Sequence, residues 1–121
     1  MNEEIKDQWV SALQSAEFEK ADGVLHEVPT NRMCANGVLC DLAYRAGVVS
    51  RRAVACREDY AIYAYGEDQL TGLIPHEVRE WAGLSSSDPD LRYAHHVSVA
   101  ELNDDTNPTL PEIGLLIKAQ L

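Results

Sequence analysis

The run Met33-Cys34-Ala35-Asn36-Gly37-Val38-Leu39-Cys40-Asp41-Leu42-Ala43 constrains the fold of this chain more than any other segment. Asn36 has the side chain of an N-cap, because its amide oxygen can accept one of the backbone N–H groups that a helix start leaves unpaired. Val38, Leu39, Leu42, Ala43 and Ala46 then recur at helical spacing, and Gly47 supplies a C-terminal stop. These apolar residues are expected to face the core. The same run sets the thiol of Cys34 where the helix begins.

The neighbours can be read with less force. Asn2 can cap a helix over Glu3 to Ala16, with Glu3 and Glu4 favouring the positive dipole end and Ile5, Trp9, Ala12, Leu13 and Ala16 on one face. Asp22-Gly23 is a turn, and Val24 to Val28 alternates as a half-buried strand does. Pro29 to Arg32 reads as a hairpin connection into a short strand, Met33 to Ala35. Ala53 to Cys56 and Tyr60 to Tyr65 form two strands about the polar turn Arg57-Glu58-Asp59. Pro75 opens a short helix from His76 to Ala82, and Gly83 ends it. Leu84 to Asp90 is a loop. Ser98-Val99-Ala100-Glu101 and Thr109-Leu110-Pro111-Glu112 are both capping boxes, so a one-turn helix and a final helix start there. The fold class is α+β: three main helices plus a short helix packed on a small antiparallel sheet, residues 1–121 forming a single domain. Trp9, Leu13, Leu39, Leu42, Trp81, Leu102, Ile113 and Leu116 are expected to share its core.

Charge narrows the classes of function. Twenty acidic residues against ten basic give a formal net charge of −10, a surface that repels nucleic acid. The imbalance is uneven. From Val28 to Arg57 there are five arginines (Arg32, Arg45, Arg51, Arg52, Arg57) against Asp41 alone, a local +4, which leaves −14 for the remainder. An acidic face of this kind either keeps the chain in solution or competes for a basic protein surface. No apolar run reaches the ~20 residues that a membrane-spanning helix needs. The N-terminus is acidic and lacks the apolar stretch of a signal peptide. Three cysteines cannot all pair within one chain, and together these features indicate a reducing cytoplasm.

The early Trp-Val-x-x-Leu helix, Cys34-x-x-Gly37-Val38-Leu39-Cys40-Asp41-Leu42-Ala43, Pro75-x-x-Val78-x-x-Trp81-x-Gly83-Leu84 and Leu102-Asn103-Asp104 stand in a set order. In that combination the chain resembles a group of small uncharacterised proteins encoded in bacteriophages, notably those of actinobacteria, and in some bacterial genomes. The resemblance spans most of the chain outside Val48 to Ile74. It implies a phage or prophage origin, and with it the host cell cytoplasm, but no activity. Relatives of this kind often place a second cysteine and a leucine after the first cysteine, where this chain has Ala35 and Asn36.

Two sets of residues are candidates for a site. Cys34, at a helix start beside Arg32, has the setting of an activated thiolate, and His95, His96, Asn103 and Asp104 supply the base and orienting groups that a cysteine nucleophile needs. The bland alternative is a small buried apolar cysteine. Tyr63 and Tyr65 fall on one strand face and form the candidate binding surface, although ordinary sheet packing explains them equally well. Cys34, Cys40, Cys56, His26, His76, His95 and His96 lack the spacing of familiar zinc sites, and Asn103-Asp104-Asp105 lacks the calcium-loop pattern. No metal and no cofactor is therefore expected. The reading is a small acidic phage or prophage accessory protein that binds a basic host or phage protein without catalysis. The alternative is a cysteine-dependent enzyme or small-ligand binder using Cys34 with the Asn103-Asp104 turn.

Overall fold

The computed structural model describes residues 1–15, 19–105 and 108–121. In chain order the elements are α1 (Glu3–Gln14), α2 (Ala35–Arg45), β1 (Arg51–Arg57), β2 (Tyr60–Tyr65), α3 (His76–Ala82), β3 (Asp90–Tyr93), β4 (His96–Ser98), α4 (Val99–Asp104) and α5 (Leu110–Gln120). The fold is α+β. In place of one small sheet, the described residues form two separate antiparallel hairpins, β1–β2 and β3–β4.

Local chemistry fixes most of these ends. Asn2 Oδ1 accepts the Ile5 N–H at 3.0 Å and starts α1. Ser98 and Thr109 accept from the N–H groups of Glu101 and Glu112, the two capping boxes that start α4 and α5. Gly83 ends α3 in the left-handed conformation, at φ 71°, which costs a glycine little. The expected extension of the first helix to Ala16 lies outside the described residues.

Three expectations need correction. Helix α2 starts two residues earlier than expected: Cys34, not Asn36, is its N-cap, the sulfur accepting from the Gly37 N–H at 3.2 Å. Asn36 is drawn inward instead, and its amide donates to Asp88 Oδ1 at 3.2 Å. Val24 to Val28 and Met33 to Ala35 do not become strands. They contribute isolated bridges only, Met33 with Lys20 and with His26, and Glu27 with Ile62, because no neighbour continues the pairing into a ladder. Asp90, expected in a loop from the serine-rich stretch and Asp88-Pro89 before it, is the first residue of β3.

One apolar cluster joins residues from Ile5 to Ile117. Trp9, Leu13, Leu39, Leu102 and Ile113 lie fully within it, beside Leu25, Tyr65, Leu91 and Ile117. Leu42, Trp81 and Leu116 are half-buried at its rim, each with one side left to solvent. Helix α1 packs on α5 and on α2, and α4 closes over the start of α2. That closure brings residues distant in sequence to one helix end.

Candidate functional site

The first turn of α2 is where the sequence-nominated residues meet. The Cys34 N–H donates to Leu25 O at 3.1 Å, while its sulfur caps the helix. The Ala35 N–H, one of the donors a helix start leaves unpaired, goes to Asn103 Oδ1 at 2.9 Å. Asn103 Nδ2 then donates to Ala21 O at 2.8 Å, so the buried amide ties the start of α2 to the segment before the Asp22-Gly23 turn. From the opposite side Trp9 Nε1 donates to Ala35 O at 2.8 Å. Asp104 Oδ1 accepts the Gly23 N–H at 3.1 Å. Asn103 and Asp104 thus occupy the last turn of α4 rather than a loop between the final helices, and they accept backbone N–H groups of distant segments.

Cys34 and Asp104 also share a cavity of about 60 Å³, completed by Gly23, Val24, Gly72 and Ala100. The thiol is 8% exposed. Burial pushes its pKa up to about 12, and the carboxylates of Asp104 and Asp88 push the same way, against the hydrogen bonds from the start of the helix. Arg32, the cation expected to favour a thiolate, pairs with Glu19 at 3.0 Å instead. The histidines lie on the β3–β4 hairpin: His95 is exposed in its turn, and His96 places Nε2 2.8 Å from Asp105 Oδ2. The structure therefore joins Cys34 with Asn103 and Asp104, and gives His96 a different carboxylate partner. A buried neutral thiol in this field is a weak nucleophile.

Reactivity provides a direct check. Of the three free cysteines, Cys56 is exposed and Cys34 and Cys40 are buried. A water-soluble thiol reagent is expected to modify Cys56 first in the folded protein and the other two only on unfolding. Peptide mapping that finds Cys34 modified first would reverse this account of the site.

A second polar network went unread in the sequence. His26, only 2% exposed, has Nδ1 2.8 Å from the Tyr65 hydroxyl and Nε2 2.6 Å from Asn31 Oδ1. The Asn31 oxygen can only accept, so Nε2 carries the proton and Nδ1 accepts from Tyr65. Arg51 Nη1 donates to Asp41 at 2.9 Å and to the Tyr65 hydroxyl at 3.4 Å. Its guanidinium lies between the rings of Tyr44 and Tyr63, at 3.9 and 4.2 Å from their centroids. Asp41 takes Arg45 as well, at 3.0 Å. Of the two tyrosines nominated for binding, Tyr65 is fully buried in this network and Tyr63 is half-buried above it. Alternation along the strand put both on one face, but carried no signal that His26 covers it.

Burial lowers the His26 pKa below its usual 6.5, outweighing the Asn31 hydrogen bond and Asp41, which raise it, while Arg51 and Arg45 also lower it. The unfolded chain then binds the proton more tightly than the folded one. This contribution to stability is complete above about pH 6.5 and is lost as pH falls below it toward the folded pKa. Thermal melts across that interval should show a decline that His26→Gln reduces. An equal decline in the variant would place the sensitivity elsewhere.

A larger cavity of about 260 Å³ lies between Met1, the Gly83-Leu84-Ser85-Ser86 segment, Pro89, Asp90, Gln120 and Leu121, away from every nominated residue. Among the described residues no three His, Cys, Asp or Glu side chains gather as a metal ion would require. No described helix is long and apolar enough to cross a membrane. One family model, described as Domain of unknown function (DUF8296), matches residues 1–121. No curated protein matches the chain, and no solved structure does.

Proposed function

We propose that this chain, which belongs to the DUF8296 family, is a small acidic accessory protein of phage or prophage origin that binds a basic host or phage protein and catalyses no reaction. The observation that carries this reading is how the charges are spent. Lys6, Arg32, Arg45 and Arg51 are paired with the chain's own carboxylates within 3.2 Å and Arg57 only loosely at 3.9 Å, while Arg52, Arg92 and Lys118 are exposed with no ion-pair partner among the described residues. Glu4, Asp7, Asp22, Glu58, Glu67 and Glu80 are exposed and have no ion-pair partner among the described residues. Unpaired surface carboxylates attract a basic partner over distances longer than any contact. The phage origin rests on the motif resemblance. A single domain agrees with a core shared from Ile5 to Ile117, and the host cytoplasm with three unpaired thiols. Tyr63 is the aromatic contact this reading retains, with Tyr65 supporting it from beneath at 6.4 Å between ring centres.

Affinity capture from host lysate, followed by association kinetics at low and high salt, tests the proposal. Charge-steered association is expected to slow about tenfold or more as the Debye length shrinks. Tyr63→Ala should mainly speed dissociation. A captured partner that is acidic, or whose association ignores salt, would overturn it.

A further inference from the structure

The β1–β2 hairpin is open on one side only. On the far side of β2, the Tyr63 N–H donates to His26 O, the Tyr65 N–H to Leu70 O, and the Val28 N–H to Ala61 O. The peptide groups of Tyr63 and Tyr65 therefore point away from β1. In an antiparallel ladder, residues opposite such groups point their own peptides outward on the other side. Those residues are Ala53, opposite Tyr63, and Arg51, opposite Tyr65. The alternate residues Arg52 and Val54 face β2, consistent with the Gly66 N–H donating to Ser50 O one step further along. Among the described residues no backbone group bonds to Arg51 or Ala53 on the outer side.

This edge is also chemically distinct from the rest of the molecule. Residues 42–57 contain Arg45, Arg51, Arg52 and Arg57 and no acid, in a chain whose net charge is −10. Arg52 is exposed and has no ion-pair partner among the described residues, and Arg57 is held by an exposed Asp59 at 3.9 Å and by the Tyr60 ring, 5.1 Å from its guanidinium. Ala53 and Ala55 are exposed and small, so they leave the backbone approachable between the arginines. We propose that the open edge of β1 receives an extended acidic segment of a partner protein as an added antiparallel or parallel strand. Main-chain hydrogen bonds would hold the segment, and Arg52 and Arg57 would select its carboxylates. A second copy of this chain is a poor occupant, because β1 (Arg51–Arg57) carries three arginines and no carboxylate, so its own strand offers nothing for Arg52 and Arg57 to select. This edge carries the charge opposite to the acidic surface of the proposed function, although Tyr63, the cross-strand partner of Ala53, lies on the same hairpin. Peptide protection of Arg51 and Ala53 tests the edge alone, and salt-dependent association with a basic partner tests the other reading.

The probe is an amidated peptide of β1's length alternating glutamate with valine and threonine, compared with its lysine counterpart. Hydrogen exchange on the full chain should show the glutamate peptide protecting the amides of Arg51 and Ala53. Those of Arg52 and Val54, already bonded to β2, should change little. Ala53→Pro removes one outward N–H without touching the ladder to β2, and is expected to weaken the peptide about tenfold. Should that variant fail to fold, the double change Arg52→Glu and Arg57→Glu, both at exposed positions, makes the same test. Absence of protection, equal binding of the lysine peptide, or binding that survives both variants would overturn the proposal. So would protection that grows with protein concentration alone, which would identify a second copy as the occupant.

Discussion

Gly37→Ala is expected to abolish the fold. On helix propensity alone the change should help, since alanine is favoured over glycine in a helix interior by about 1 kcal/mol. Here the added Cβ would fall inside the van der Waals envelope of the Leu25 carbonyl oxygen and 2.6 Å from its carbon. Both sides of this contact are backbone, so no side chain can turn aside. The Leu25 carbonyl is also fixed by the Cys34 N–H at 3.1 Å. Separating the two segments would break that bond and the Asn103 bonds beside it. The cost should exceed about 4–5 kcal/mol, a large part of the stability of a small domain. Loss of the cooperative melt by circular dichroism is the expected result. A variant melting within a few degrees of wild type would show that the packing of α2 on Leu25 is wrong.

Asn103→Ala should be the next most damaging change, at about 2–5 kcal/mol. Truncation leaves the Ala35 N–H and the Ala21 carbonyl unpaired in the interior, and each such group costs about 1–3 kcal/mol. Asn103→Asp separates structure from chemistry. It keeps an acceptor for Ala35, loses the donor to Ala21, and sets a carboxylate against a carbonyl, so it should also destabilise. Urea titrations with unchanged slope and a shifted midpoint would report this. Asn103→Ala at wild-type stability would mean that the amide is held for some purpose other than the fold.

What the sequence disclosed was local. Asn2, Ser98, Thr109, Pro75 and Gly83 act through bonds or dihedrals within a few residues, and the helices they bound stand where their signals are. The hairpin β1–β2 was readable for the same reason, as two alternating runs about a polar turn. The cap of α2 was not. Asn36 is the better capping residue by type, yet its amide is used by Asp88, 52 residues away, and the thiol takes its place. Likewise the apolar alternation of Val24 to Val28 was real, but a strand needs a ladder, and the partners on each side supply only single bridges. The meeting of Cys34, Asn103 and Asp104 was anticipated as a list of residue types. Its character, a buried cap tied to a buried amide with carboxylates nearby, depends on contacts across 68 residues and could not be read from spacing.

The convergence of Trp9, Ala21, Leu25 and Asn103 on the first turn of α2 has a bearing on how the chain is born. Translation delivers Ala35 long before Asn103, which lies 68 residues later. At roughly 5–20 residues per second, the start of α2 waits about 3–14 s for its last hydrogen-bond partner to be synthesised. An isolated helix of this length is marginal in water, so over that interval the apolar residues of α2 are held by a half-finished neighbourhood. The nascent chain is most exposed to chaperones, proteases and its own neighbours on the polysome in the interval between synthesis of Ala35 and of Asn103.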